Sequence, residues 1–175
     1  KGGVAKTTTA GAICSGLALK GYRVLTVDMD SQSNITYVMG GNKSSQHNTM
    51  TVLKDPSLSR EAIQHTEQGD LIPGSPSLAG ADSDIKETGR EYRLKEALQP
   101  LLKDYDYIII DTPPVLSVVT VNALAACTGV IIPAQADIFS LQGIAELYST
   151  IEVVKKYCNP DLKIKGILLT HFNER

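Results

Sequence analysis

Eight residues, Lys1-Gly2-Gly3-Val4-Ala5-Lys6-Thr7-Thr8, have the types and the spacing needed to hold a chain of phosphates. The small residues Gly2, Gly3 and Ala5 let successive backbone N–H groups turn toward phosphate oxygens, with Val4 and Thr8 completing the loop. Lys6 reaches the outer phosphates, and the Thr7 hydroxyl suits a magnesium ion. The helix expected to follow adds unpaired N–H groups and about half a positive charge from its dipole, both directed at the anion. The usual pattern, GxxxxGK(S/T), has glycine before the lysine; Ala5 stands there instead. A second lysine, Lys1, precedes Lys6 by five positions, giving KGGxxKT.

Two further acidic positions are spaced for the same site. The apolar run Arg23 to Met29 has strand length and ends in Asp28-Met29-Asp30-Ser31-Gln32-Ser33-Asn34. This puts two carboxylates at the C-terminal end of a strand, where open α/β sheets hold ligands. Asp30 and Ser31 can equally cap the next turn. Tyr107 to Asp111 (YIIID) is a short apolar strand ending in an acid and followed by Thr112-Pro113-Pro114. That is a Walker B pattern, in which a carboxylate on a rigid strand faces magnesium, usually through a water, while Thr7 binds the ion directly.

The elements that must carry these residues alternate. Ala10, Ile13, Cys14, Leu17 and Ala18 recur at helical spacing between Thr7 and Lys20, and Lys20-Gly21 supplies a stop signal. Arg23 to Met29 is too continuously apolar for a half-exposed strand and reads as parallel and buried on both faces. Residues 37–90 are rich in Gly, Ser, Asn and Gln. Val52-Leu53 and Ala62-Ile63 suggest short helices there, and Leu71-Ile72-Pro73 a brief strand. Glu91 to Lys103 reads as a helix that Pro100 kinks or ends early. Val118 to Ala126 reads as a helix, Val130 to Pro133 as a buried strand, Ser140 to Tyr157 as a long helix and Ile164 to Thr170 as a last strand. Strands alternating with helices imply an α/β fold: a doubly wound, mostly parallel sheet with helices on both faces. Residues 1–175 are expected to form one domain. Because the strand that normally feeds a phosphate loop does not precede Lys1, the expectation is a domain lacking its first strand and C-terminal portion, and unstable alone.

Composition narrows the class further. A net charge of −2 argues against a strongly basic nucleic-acid binder over the whole stretch, so any DNA contact must use a local patch. Three scattered cysteines, Cys14, Cys127 and Cys158, argue against a disulfide framework and for a reducing compartment. No apolar run approaches the roughly 20 residues that span a bilayer, and no signal peptide is evident, so a cytoplasmic protein is expected.

The KGGxxKT segment closely resembles the deviant Walker A signature of the ParA/MinD family of P-loop ATPases, which tolerates a residue other than glycine before the second lysine. The match continues through Asp28 to Gln32, similar to the family's DxDPQ first switch with Ser31 in place of proline. It continues through DTPP, NAL, IIPAQ and FSLQG, and weakens only in the middle of the chain. The resemblance implies Mg²⁺-dependent, slow, partner-stimulated ATP hydrolysis with Lys1, Lys6 and Asp30 as the catalytic residues. Asp30 orients the attacking water, Asp28 is a supporting acid, Thr7 and Asp111 hold the metal, and Asn173 contacts the base. It also implies that Lys1 reaches the partner's nucleotide in an ATP-dependent homodimer. Two functions follow. One is a partitioning ATPase for plasmid or chromosome DNA, nucleoid-associated, binding DNA nonspecifically as the ATP dimer and stimulated by a ParB-like centromere-binding protein. The other is a MinD-like membrane-surface switch. A redox relative would need paired cysteines around a metal cluster, and Cys127 has no neighbouring cysteine in sequence.

Overall fold

The structure, a computed structural model, describes residues 3–136 and 138–171, with the side chains of 138–141 excluded. Helix α1 (Lys6–Leu19) leaves the phosphate loop and packs on β1 (Val24–Asp28) and β4 (Tyr107–Asp111). The Lys20-Gly21 stop signal acts as expected. Gly21, at φ +86, donates its N–H to Ala18, and Tyr22 donates to Leu17, closing a Schellman turn that satisfies two orphan carbonyls.

Strand β1 lies at the heart of a four-stranded sheet, parallel to both neighbours, with β2 (Gln64–Thr66) and β3 (Gly69–Ile72) on one side in the order β2-β3-β1-β4. Its Leu25 and Val27 are fully buried and Thr26 nearly so, which explains its continuous apolar reading. Strand β3 (Gly69–Ile72) is the expected brief strand before Pro73. It also forms an antiparallel hairpin with β2 (Gln64–Thr66), which the sequence reading did not anticipate. Gln64-His65-Thr66 is three polar residues with no apolar alternation. Only the turn at Gly69, at φ +121, and the ladder to β3 define it as a strand.

Between β1 and β3 the chain forms α2 (Asn34–Val38) and α3 (Thr49–Lys54), the latter opened by a capping box in which Asn48 and Thr51 bond reciprocally. Ala62 and Ile63 do not form the expected helix. They lie in the turn entering β2, where Ala62 is buried while its N–H reaches back to Leu58. After the short α4 (Ala81–Asp84), helix α5 (Arg93–Leu98) buries Leu94, Ala97 and Leu98 and stops ahead of Pro100. Leu102, within the expected helix but past Pro100, is exposed. Helix α6 (Val118–Ala126) covers this core, and its buried Asn122 ties the region together by accepting the Leu94 N–H and donating to Arg90 and Val118 carbonyls.

A second, two-stranded parallel sheet pairs β5 (Gly129–Gln135) with β6 (Lys163–Thr170), joined by α7 (Ile138–Tyr157). Ile151 and Val154 of α7 pack with Leu124, Ile132 and Leu162 in a separate core. The expectation of a fully buried β5 is corrected: among its residues only Ile132 and Ala134 are buried, and Ile131 is exposed. The cause is that β4 and β5 do not pair. An apolar cleft of about 320 Å³ separates them, lined by Ile108, Ile109 and Ile110 on one side and Val130, Ile131 and Ile132 on the other.

The first sheet is pinned at its lower end by Arg23, whose backbone N–H and guanidinium both donate to the Asp106 carboxylate, from 2.8 to 3.2 Å. At the upper end Met29 donates its N–H to the Asp111 carbonyl at 2.9 Å.

Candidate functional site

The parallel register of β1 and β4 pairs Asp28 directly with Asp111, so both carboxylates emerge at the same level of the C-terminal sheet edge. Helix α1 begins at this edge and supplies Thr7, whose hydroxyl donates to an Asp111 carboxylate oxygen at 2.7 Å. These two residues, 104 apart in sequence, are the two chosen from the sequence as the metal pair.

The phosphate loop itself is held from the second sheet. Gln135, the last residue of β5, donates its side-chain N–H to the Gly3 carbonyl at 3.0 Å. Thr170, the last of β6, donates its hydroxyl to the Val4 carbonyl at 3.3 Å. Val4 is buried, Ala5, Lys6 and Thr7 are half-buried, and Thr8 is exposed. Ala5 sits at φ 62 and ψ 30, the left-handed region, which accounts for the usual glycine at this position; here an alanine carries the strain. The sequence reading missed Gln135 and Thr170. Their only signal was their position at the ends of apolar strands, with Gln135 closing the IIPAQ segment. Lys1, Gly2 and Asn173 lie outside the described residues.

Asp30 is buried two residues past the end of β1. Its backbone N–H donates to Asp28 Oδ1 at 3.0 Å, while its Oδ1 accepts from the Gln32 N–H at 3.0 Å and its carbonyl from Ser33. Asp30 therefore caps its own turn, as the turn-capping alternative has it, and lies near enough for its charge to raise the Asp111 carboxyl.

The Asp111 carboxyl is pushed up to about 6, chiefly by burial and secondarily by the charges of Asp28 and Asp30, against the lowering effects of the Thr7 hydroxyl and Lys6. Burial likewise raises Asp28 against hydrogen bonds from Thr36 and from the Asp30 backbone. The Thr7 hydroxyl and the Asp111 carboxylate are hard oxygen donors 2.7 Å apart and fit Mg²⁺ as its holders. The loop amides, Lys6 and the N-terminus of α1 fit a phosphate chain.

Thr112 and Pro113 are half-buried beside Asp111, and Pro114, Val115 and Leu116 are exposed, presenting the DTPP segment at the rim of the apolar cleft. The three cysteines are free thiols, with burial pushing that of Cys127 up to about 11. No group of three or more metal-ligating His, Cys, Asp or Glu side chains occurs among the described residues.

Residues 1–164 match the AAA domain family AAA_31. Over its whole length the chain is 44% identical to the chromosome partitioning protein ParA of Myxococcus xanthus, spanning 63% of that protein. It is 42% identical to the sporulation initiation inhibitor protein Soj of Bacillus subtilis, spanning 71% of it. The chain belongs to the ParA/Soj family. Among solved structures, this ParA/Soj chain superposes on a cobyrinic acid a,c-diamide synthase from Mycobacterium smegmatis, solved with an ATP analogue and magnesium, with TM-score 0.95 and 40% identity over the whole chain and 73% of that protein. It also superposes on a plasmid partition protein from Borrelia burgdorferi with TM-score 0.84 and 31% identity over the whole chain and 77% of that protein. The mostly parallel P-loop architecture expected from the sequence is thus that of the family. No helix among the described residues is long and apolar enough to cross a membrane.

Proposed function

We propose that the protein containing this chain is an Mg²⁺-dependent ATPase switch for DNA partitioning, which dimerises with ATP and binds nonspecific DNA in that state. The observation that carries the reading is the Thr7–Asp111 hydrogen bond at the mouth of a lysine-bearing loop, with Asp30 beside it, in a chain whose named relatives are partition proteins. Bound magnesium would neutralise charge on the outer phosphates. Lys6 and the loop amides balance the phosphate chain, and Asp30 orients a water for in-line attack on the terminal phosphorus. Lys1 reaches into the partner's site, so two chains enclose two nucleotides; hydrolysis then releases the dimer and its DNA. A ParB-like centromere-binding protein accelerates that step, and the switch works in the cytoplasm on the nucleoid.

The test is binding of the full-length protein to nonspecific duplex DNA with ATP, with ADP and without nucleotide, across a salt series. Binding that requires ATP and weakens steeply with salt is expected, because contacts to phosphates release counterions. ATP-dependent dimerisation without DNA binding in any state would overturn the partitioning role; liposome binding would then favour the MinD-like switch. ATP consumption that produces neither a dimer nor DNA binding would direct attention to a synthase activity of the kind named for the M. smegmatis protein.

A further inference from the structure

Asp28 touches neither the loop nor Thr7 in the hydrogen bonds described above, yet it is fully buried. Each of its side-chain hydrogen bonds comes from the segment that carries Asp30. Its Oδ1 accepts the Asp30 N–H at 3.0 Å, and its Oδ2 accepts the Thr36 N–H at 3.1 Å and the Thr36 hydroxyl at 2.6 Å. Thr36 is itself fully buried in the first turn of α2, and its hydroxyl accepts the Gly74 N–H at 2.9 Å. The network therefore crosses from the end of β1 to the segment after β3.

The crossing point has no slack. A Cβ on Gly74 would lie 2.8 Å from Asp28 Cγ and 2.9 Å from the Asp30 carbonyl oxygen, closer than side-chain carbons pack. Thr49 Oγ1 reinforces the junction, lying 2.7 Å from the Asp28 carbonyl oxygen and 3.0 Å from that of Pro73. A buried carboxylate with three donors, a hydroxyl used as both donor and acceptor, and a glycine admitted for close approach form a fixed frame around the Asp30 backbone.

We infer that Asp28, Thr36 and Gly74 form a clamp that positions Asp30, with Thr36 as the positioning residue joining its two halves. The inference rests on the role proposed above for Asp30. Thr36→Val keeps the shape but removes both hydroxyl bonds, freeing the Asp30 backbone to shift; a misplacement of 1 Å at a reacting group can cost about 100-fold in rate.

The experiment uses the full-length protein with Thr36→Val and Thr36→Ser. ATP hydrolysis and ATP affinity are measured, together with amide hydrogen exchange over residues 28–36 without nucleotide. Thr36→Val is expected to lower kcat by about tenfold or more, with KM and ATP affinity within about twofold, and to speed exchange at the Asp30 and Thr36 amides. Thr36→Ser is expected to restore both. Wild-type kcat together with unchanged exchange in Thr36→Val would overturn the clamp. Should Thr36→Val fail to fold, Asp28→Asn carries the same test, since a carboxamide cannot accept from all three donors; unchanged exchange and kcat in that variant overturn the inference equally. If the wild-type protein hydrolyses no ATP, the role given to Asp30 falls, and the exchange measurement alone decides whether the clamp holds the loop.

Discussion

Replacing Asp111 with asparagine sets the requirements of metal binding against those of folding, and the structure gives the size of the conflict. The Asp111 carboxyl is almost wholly buried and pushed up to about 6 from its ordinary 3.8, chiefly by loss of water around its charge. The folded protein therefore holds this proton more tightly than the unfolded chain. Unfolding releases the proton between about pH 4 and 6, so the group's contribution falls as pH rises through that window and stays at its lowest above it. At about 1.36 kcal/mol per pH unit, the full penalty near pH 8 is about 3 kcal/mol. By the same linkage it shrinks to about 1 kcal/mol at pH 4.5.

Asparagine carries no charge, and its carbonyl oxygen can still accept the Thr7 hydroxyl. In magnesium-free buffer, Asp111→Asn is accordingly expected to be more stable than wild type by up to about 3 kcal/mol at pH 8, with most of the difference gone at pH 4.5. Denaturant unfolding of both full-length proteins at the two pH values measures this. Adding Mg²⁺ and nucleotide should then stabilise wild type and leave the variant nearly unmoved. A variant less stable than wild type at pH 8, or a difference that does not change with pH, would refute the reasoning.

Other expectations test neighbouring parts of the site. Lys6→Ala should lose nucleotide binding, seen as no thermal stabilisation by ATP. Asp30→Ala should retain ATP and accumulate dimer by sedimentation while phosphate release stops; continued hydrolysis removes its proposed role. Lys1→Ala should bind ATP as a monomer, and an ATP-dependent dimer in that variant would sink the cross-interface assignment. Ala5→Gly should raise stability slightly: relief of a left-handed alanine is worth about 1–2 kcal/mol, against roughly 0.4–1 kcal/mol of added freedom in the unfolded chain. A less stable Ala5→Gly protein would show that the loop is not strained there.

Where a segment's own chemistry decided its structure, the sequence was readable. β4 and α6 fall at the expected residues because a continuous apolar run and a helical stripe leave few alternatives. Thr7 and Asp111 were legible as a pair because each belongs to a local pattern with a fixed chemical purpose. The hairpin strand β2 was not, since Gln64-His65-Thr66 owes its conformation to pairing with β3. Thr36 and Gly74, 38 positions apart, and Gln135 and Gly3, 132 apart, meet only through the fold, so neither contact leaves a mark on local spacing.

The pins at the two ends of β1 and β4 make these strands a ruler for the site. Arg23 grips Asp106 at one end and Met29 bonds Asp111 at the other, and Asp28 and Asp111 are graduations on adjacent edges. One residue inserted between either pair of pins would advance a carboxylate by about 3.3 Å and turn it to the opposite face of the sheet. Both strands should therefore be closed to insertion within Arg23–Asp28 and Asp106–Asp111.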